Sequence, residues 1–385
     1  MFTQKIKQVQ DHFSTLSQNW LFGAGISFES NIPLMIPLTK KIAEDFSSEQ
    51  VAFSNVFEAI QNTLPENAHI EHILSHLGDL IAILNRINKD ELRIDDFTYK
   101  LDEITDLYKK IISKISDIVR YGYNGTTKIQ GSISNPIITI DSHDKFVKAL
   151  LKRHEDLHNR KTINFFTTNY DTLLEDALAL NKQIVIDGFS GTSIGFWDSD
   201  VYVEKRKVNE HHLYKLHGSI DWYHDALYSL VRVRYGTSYL SETSNVLIYP
   251  QATKYIETQK DPFATLFNSF RNKISNGENI LSVCGYSFGD NHINNEIENA
   301  LHLPTNNTTL IVFVKEYVIG GSLCIPPVLG KWHNDSIINA RVFILTNQGI
   351  YNGGKFYKGS KENYDWWSFT GMTTFLNGEV SDYDV

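Results

Sequence analysis

The sequence predicts an α/β fold, a mostly parallel sheet covered by helices on both faces and interrupted by an inserted helical domain. Three observations carry this. Short apolar runs such as TINFFTTN, ENILSVCG and TLIVFVK alternate with segments of helical period, and repeated strand, helix, strand units make successive strands parallel. Small-residue turns follow several of these runs, at the strand ends where such folds gather their ligands. Between Glu49 and Tyr123 the texture changes to long apolar stripes without a convincing strand.

Composition narrows the function classes. The chain has 385 residues, 42% hydrophobic and 21% charged, enough to bury a large core and typical of a globular protein. No run approaches the roughly 18–20 apolar residues of a membrane span, and MFTQKIKQVQDHF lacks an apolar signal core, so no membrane is expected and the expected location is cytoplasmic. A formal charge of −9 argues against direct nucleic-acid binding, and Glu204 to Lys207 reads as a solvated turn. With two cysteines, Cys284 and Cys324, neither a disulfide framework nor a four-cysteine zinc site can be built. His211 and His212, adjacent on a strand, point to opposite faces and are not expected to share a metal; no metal site is expected.

Taken in order, WLFGAGISFESNIPLM begins as a buried strand and breaks into Gly23, Ala24, Gly25, Ile26 and Ser27, where a sheet hands over to a helix. Glycine admits a ligand close to the backbone, and a helix N-terminus favours a phosphate there. PLTKKIAEDF reads as a short helix on Leu38, Ile42 and Phe46. Two long helices follow, one on Ile70, Ile73, Leu77, Leu80, Leu84 and Ile87, the other on Phe97, Leu101, Ile104, Tyr108, Ile111, Ile115 and Ile118. Their stripes pack on each other or the main core, or else await another subunit. Gly122 to Asn135 is a loop.

From Asp141 helix and strand alternate. HDKFVKALLKRHEDLHNR is helical, TINFFTTN a strand, TLLEDALAL a helix; QIVID, HLYKLHG, LVRVR and NVLIYP are short extended runs. Pro262 opens a helix with Asp261 as cap and Gly277 as terminator. ENILSVCG is a strand, DNHINNEIENALH a helix capped by Asp290, and TLIVFVK the last core strand. In the tail, Tyr351, Phe356, Tyr357, Tyr364, Trp366, Trp367, Phe369 and Phe375 are too many aromatics for disorder; they pack on the main body or form a subunit interface.

Four strand ends therefore carry candidate chemistry: Gly23 to Ser27; Thr168, Asn169 and Asp171; His217 with Gly218; and Gly285 with Ser287. Asn169 and Asp171 are also good helix caps, and a lone histidine is usually structural. The ordered set Gly23-Ala-Gly-Ile-Ser27, Thr168-Asn-Tyr-Asp171, His217-Gly218 and Gly285-Tyr-Ser287 resembles the sirtuin (SIR2) NAD-binding domain, a Rossmann-like fold. The implied organisation is a discontinuous domain of residues 1–48 and 136–346, a helical insertion at 49–135 and an aromatic-rich extension at 347–385.

Two departures from sirtuin deacylases shape what the resemblance implies. The four-cysteine zinc module is missing, and Pro33 is followed by Leu34, Met35 and Ile36 where deacylases carry Asp-Phe-Arg. The chain is more similar to the zinc-free SIR2-like branch of bacterial antiphage defence, which hydrolyses NAD+ to nicotinamide and ADP-ribose. That resemblance implies NAD+ as substrate, no resident cofactor, a homo-oligomer, and a HerA-type hexameric ATPase as candidate partner. It also implies site roles: Gly23, Ala24, Gly25 and Ser27 at the pyrophosphate, Gly285 and Ser287 on the adenosine side, and Thr168 and Gly218 lining the site. Asn169 would serve the nicotinamide ribose or attacking water, Asp171 the carboxamide, and His217 general base catalysis. Alternatives are a protein deacylase or ADP-ribosyltransferase, and a non-enzymatic nucleotide-sensing or scaffold subunit.

Overall fold

The computed structural model describes residues 1–15, 17–49, 51–66, 68–94, 97–152, 163–203, 209–225, 227–234, 243–247, 261–277 and 279–378. Its centre is a nine-stranded sheet. The strands are β1 (Ser17–Phe22), β2 (Ile163–Thr167), β3 (Ile184–Ile186), β4 (Glu210–Lys215), β5 (Asn279–Cys284), β6 (Thr309–Phe313), β7 (Val342–Leu345), β8 (Gly349–Asn352) and β9 (Lys355–Lys358). Across the sheet they run β9-β8-β7-β6-β5-β1-β2-β4-β3. Pairs from β3 to β7 are parallel, and β8 and β9 add an antiparallel edge. The chain builds outward from β1 to β2, β3 and β4, then returns to lay β5 on the other side of β1. The strand order thus reverses beside β1, where a parallel sheet opens a crevice at its carboxyl edge.

The alternation of side chains along each strand feeds two cores. Trp20 and Phe22 go to one face with Ile6, Val9 and Phe13 of helix α1 (Phe2–Thr15); Leu21 goes to the other. Burying each of these large side chains stabilises the fold by about 1.5–3 kcal/mol relative to exposure.

Helices α2 (Met35–Glu49), α3 (Val51–Thr63), α4 (Ile70–Ile87) and α5 (Leu101–Tyr121) share a third core. The stripes of α4 and α5 close inward on each other and on α2 and α3, apart from Ile87 at the end of α4, which is exposed. The stretch is not free of strands: Glu91–Ile94 and Phe97–Lys100 form a hairpin. Phe97 lies four residues before Leu101, which mimics the helical period.

Further along come α6 (Asp141–Lys152), α7 (Leu173–Leu180), α8 (Phe263–Ser275), α9 (Asn291–His302), α10 (Pro327–Asn334) and α11 (Phe369–Asn377). Asp261 Oδ1 accepts the Thr265 amide, 3.2 Å, and Gly277 is left-handed at φ +84. LVRVR, the strand Thr243–Leu247 that holds the start of NVLIYP, and the strands beginning at Phe189, Ile194 and Gly218 contribute to a separate five-stranded sheet, outside the parallel one. TLIVFVK is not the last core strand either: the four-residue run Val342–Leu345, too short to show a period, pairs parallel to it.

The aromatic tail folds back on the body. Tyr364 and Trp366 stack with centroids 4.1 Å apart and, with Phe369 and Phe375, join the core around Phe22 and Phe146. Expectations for residues 153–160, 204–207, 248–250 and 379–385 lie outside the described residues. Among the described residues no helix is long and apolar enough to cross a membrane, and no group of three or more His, Cys, Asp or Glu is placed to hold a metal ion.

Candidate functional site

The carboxyl ends of β1, β2, β4 and β5 bring the four motifs to one edge of the sheet. The glycines there serve first to let two turns interlock. A Cβ on Gly23 would lie 2.6 Å from the Gly285 carbonyl oxygen, one on Gly25 2.7 Å from Gly285 Cα, and one on Gly285, at φ +68, 2.6 Å from the Ile26 nitrogen. The Gly25 amide donates to the Gly285 oxygen at 2.9 Å.

Neither turn runs into a free α-helix N-terminus. Ala24–Ser30 is a 3-10 helix, and α2 starts only at Met35. At the second turn Asp290 Oδ1 accepts the amides of His292, 2.9 Å, and Ile293, 3.4 Å, so a carboxylate already takes the donors that would face a phosphate. Ser287 is exposed at the rim, its hydroxyl accepting the Gly289 amide at 3.3 Å.

Behind the first turn runs a directed chain of hydrogen bonds. Asn169 Nδ2 donates to Ser27 Oγ, 3.0 Å, and Ser27 Oγ donates to Asp171 Oδ2, 2.8 Å. Asp171 Oδ1 accepts the Leu173 amide, 3.1 Å, and Thr167 Oγ1 accepts the Asn169 amide, 3.0 Å. Both oxygens of Asp171 are thus engaged, which makes it an orienting group for Ser27. Asn169 Oδ1 is buried and has no hydrogen-bond partner among the described residues. Ala24, half-buried in the 3-10 helix, brings no polar side chain.

His217 sits just past β4 and pairs its Nε2 with Asp290 Oδ2 at 3.1 Å, joining the third motif to the fourth. Thr168 joins the second to the first, its amide donating to the Phe22 oxygen at 3.0 Å. Gly218, at φ +84, turns the chain out of β4, and Ser219 Oγ then donates to the Tyr170 oxygen at 3.2 Å. Tyr170, between Asn169 and Asp171, donates its hydroxyl to Glu71 Oε1 of α4 at 2.9 Å, so α4 braces the motif.

Charges beneath the site are compensated inside the chain. Lys215 donates to the Asp171 backbone oxygen and to Glu175 Oε1, the latter at 2.9 Å. Burial pushes Glu175 up to about 7 against the pull of Lys215 and Arg234. His143, fully buried on α6 with Nδ1 3.4 Å from Ser30 Oγ, is held down to about 4 by burial, against the opposing charges of Asp171 and Glu29. It is a neutral imidazole at neutral pH.

Three functional-edge residues escape a sequence reading. Asp290 carries only the local signal of a cap; His143 and Glu71 carry none, since their partners are distant in the chain. The family model described as SIR2-like domain matches residues 163–323. That span holds Thr168, Asn169, Asp171, His217, Gly218, Gly285 and Ser287, and with the parallel sheet it supports a SIR2-type fold. No curated protein matches the chain.

Proposed function

We propose that the protein hydrolyses NAD+ at the nicotinamide–ribose bond, with water as acceptor, giving nicotinamide and ADP-ribose. The observation that carries the reading is the partnerless oxygen of Asn169. A buried acceptor left unpaired costs about 1–3 kcal/mol, and Ser27 fixes the amide so that its oxygen is the end on offer. A ribose hydroxyl or the attacking water supplies the missing donor.

Departure of neutral nicotinamide leaves an oxocarbenium-like sugar, so the site has to orient the substrate, spread charge and deliver water. In this reading the 23–25 turn borders the pyrophosphate and the 285–287 turn the adenosine side. His217 takes a proton from the water or a ribose hydroxyl, and the Asp290 carboxylate beside its Nε2 stabilises the imidazolium that results. Asp171 acts through Ser27. NAD+ is consumed as a substrate, and no resident cofactor or zinc enters the scheme. The sirtuin resemblance supports the extension of this activity to an antiphage effector that depletes NAD+, assembled as a homo-oligomer with a HerA-type ATPase.

The test is incubation of the purified chain with NAD+ and no acceptor, with nicotinamide and ADP-ribose resolved by chromatography. Equimolar products are expected, and Asn169→Ala and His217→Ala are each expected to slow release by about 100-fold or more. Nicotinamide release only in the presence of an acylated or nucleophilic protein would shift the assignment to a deacylase or transferase. Unchanged NAD+ consumption in both variants would overturn the site.

A further inference from the structure

At the opposite, amino edge of the sheet lies a cavity of about 650 Å³. Its roof is α1, which turns Lys5 and His12, seven residues apart, to the cavity while Ile6, Val9 and Phe13 face the core. Its floor is Arg341, just before β7, and its wall is Lys355 and Tyr357 of β9. The sheet strands are about 15–20 Å long, so this cavity and the carboxyl-edge site are separated by the sheet's full depth.

The cations here are held by neutral groups. Lys5 Nζ donates to Gln8 Oε1, 3.0 Å, and Asn352 Oδ1, 2.7 Å. The Arg341 guanidinium donates to the backbone oxygens of Leu301, Asn306 and Thr308 at 2.6–3.1 Å. Burial lowers the pKa of both, and no carboxylate opposes it. Lys355 is exposed and makes no ion pair with another described residue. Asp11 is the one carboxylate in the lining, and it acts on His12. Cations packed elsewhere are answered differently: Lys215 meets Glu175, Arg232 meets Asp187, and Arg271 meets Glu296. In a chain of net charge −9, this cavity gathers three cations, Lys5, Arg341 and Lys355, against one lining carboxylate, Asp11.

The lining also offers a ring. Tyr357 is half-buried, with Lys5 Nζ 5.3 Å from its centroid, and burial holds the His12 imidazole towards its neutral form. The volume lies in the range of small-molecule sites, about 300–1,000 Å³, and exceeds what a bare phosphate fills. We propose that this amino-edge cavity binds a nucleoside phosphate, with Lys5, Arg341 and Lys355 around the phosphate and Tyr357 beside the base. It is a second ligand site, independent of the carboxyl-edge chemistry.

The probe is AMP, titrated calorimetrically into the full chain at low salt, with adenosine and inorganic phosphate as separate arms. AMP is expected to bind more tightly than either fragment. Lys355→Glu, at an exposed position, and Lys5→Gln are each expected to weaken AMP by about tenfold or more, as loss of one charge-assisted contact requires. Asn169→Ala is expected to leave this binding in place. No AMP binding to the wild type, or equal affinity in the wild type and both lysine variants, would overturn the site. Inorganic phosphate binding as tightly as AMP would overturn the nucleoside assignment.

Discussion

The two edges of the central sheet follow opposite electrostatic designs. At the carboxyl edge Asn169 leans on Ser27 and Ser27 on Asp171, His217 faces Asp290, and Lys215 faces Glu175. Asn169 Oδ1, at the motif itself, and Glu175 Oε2, beneath it, are buried acceptors without a hydrogen-bond partner among the described residues. At the amino edge Lys5 and Arg341 are held by neutral groups, amides, backbone carbonyls and, for Lys5, the Tyr357 ring. A site whose charges are already balanced can respond to charge that develops during a reaction, because its dipoles are fixed beforehand. Uncompensated cations instead favour a ligand that arrives already negative. In the proposed reading, one edge of the sheet carries the reaction and the other binds a ligand.

The reactive edge depends on the interlocked glycine turns, so the largest effect is expected from Gly285→Ala. The residue stands at φ +68 and its new Cβ would meet the Ile26 nitrogen at 2.6 Å. Left-handed backbone alone costs about 1–2 kcal/mol, and a clash with backbone cannot be relieved by a side-chain rotation. Urea unfolding should show a loss above about 3 kcal/mol or no folded protein. Gly320→Ala is the matched control: φ is +55 but nothing lies within 4 Å, so only the conformational cost remains. Equal losses in the two variants would mean that the turns do not interlock as described.

That experiment probes a feature half legible in the sequence. Gly23, Gly25 and Gly285 stand out as small residues after apolar runs, which suffices to place them at strand ends. Their contact with each other belongs to the tertiary fold, and so does the choice of a 3-10 helix for Ala24–Ser30. Regular elements were legible where pattern and length agree, as in α4, which spans Ile70–Ile87 as the stripe predicts. The hairpin at 91–100 was hidden because Phe97 fits the helical period, and β7 because four apolar residues have no period to read. The Asn169 and Asp171 motif is visible locally, but its link to Ser27 is not. The Tyr170 brace on Glu71 spans 99 residues, and the His217 pair with Asp290 spans 73.

Asp290 permits a finer cut at the reactive edge, because one oxygen caps α9 and the other faces His217. Asparagine caps helices about as well as aspartate, so Asp290→Asn should unfold like the wild type while removing the negative charge. Nicotinamide release is expected to fall about tenfold or more, and the acidic limb of its pH profile to move to lower pH, because an imidazolium loses its carboxylate partner. An unchanged rate and profile would assign Asp290 to capping alone.

The smallest effect tests whether the compensation beneath the site is complete. Glu175 is raised from 4.5 to about 7, burial outweighing the ion pair with Lys215. Between those values the folded chain holds a proton that the unfolded chain has released. Stability contributed by this group is therefore present at low pH and lost as the pH rises from about 4.5 to 7. His143 works in the opposite direction: lowered from 6.5 to about 4, it gives stability that is lost as the pH falls through that window. Because the two slopes overlap, the wild-type profile alone does not separate them, but Glu175→Gln removes one and leaves the other. The difference in Tm, wild type minus variant, should decline by about 1–3 °C from pH 5 to pH 7 and then level off. A flat difference would show that Lys215 holds Glu175 ionised throughout, and that this edge is more fully compensated than its burial implies.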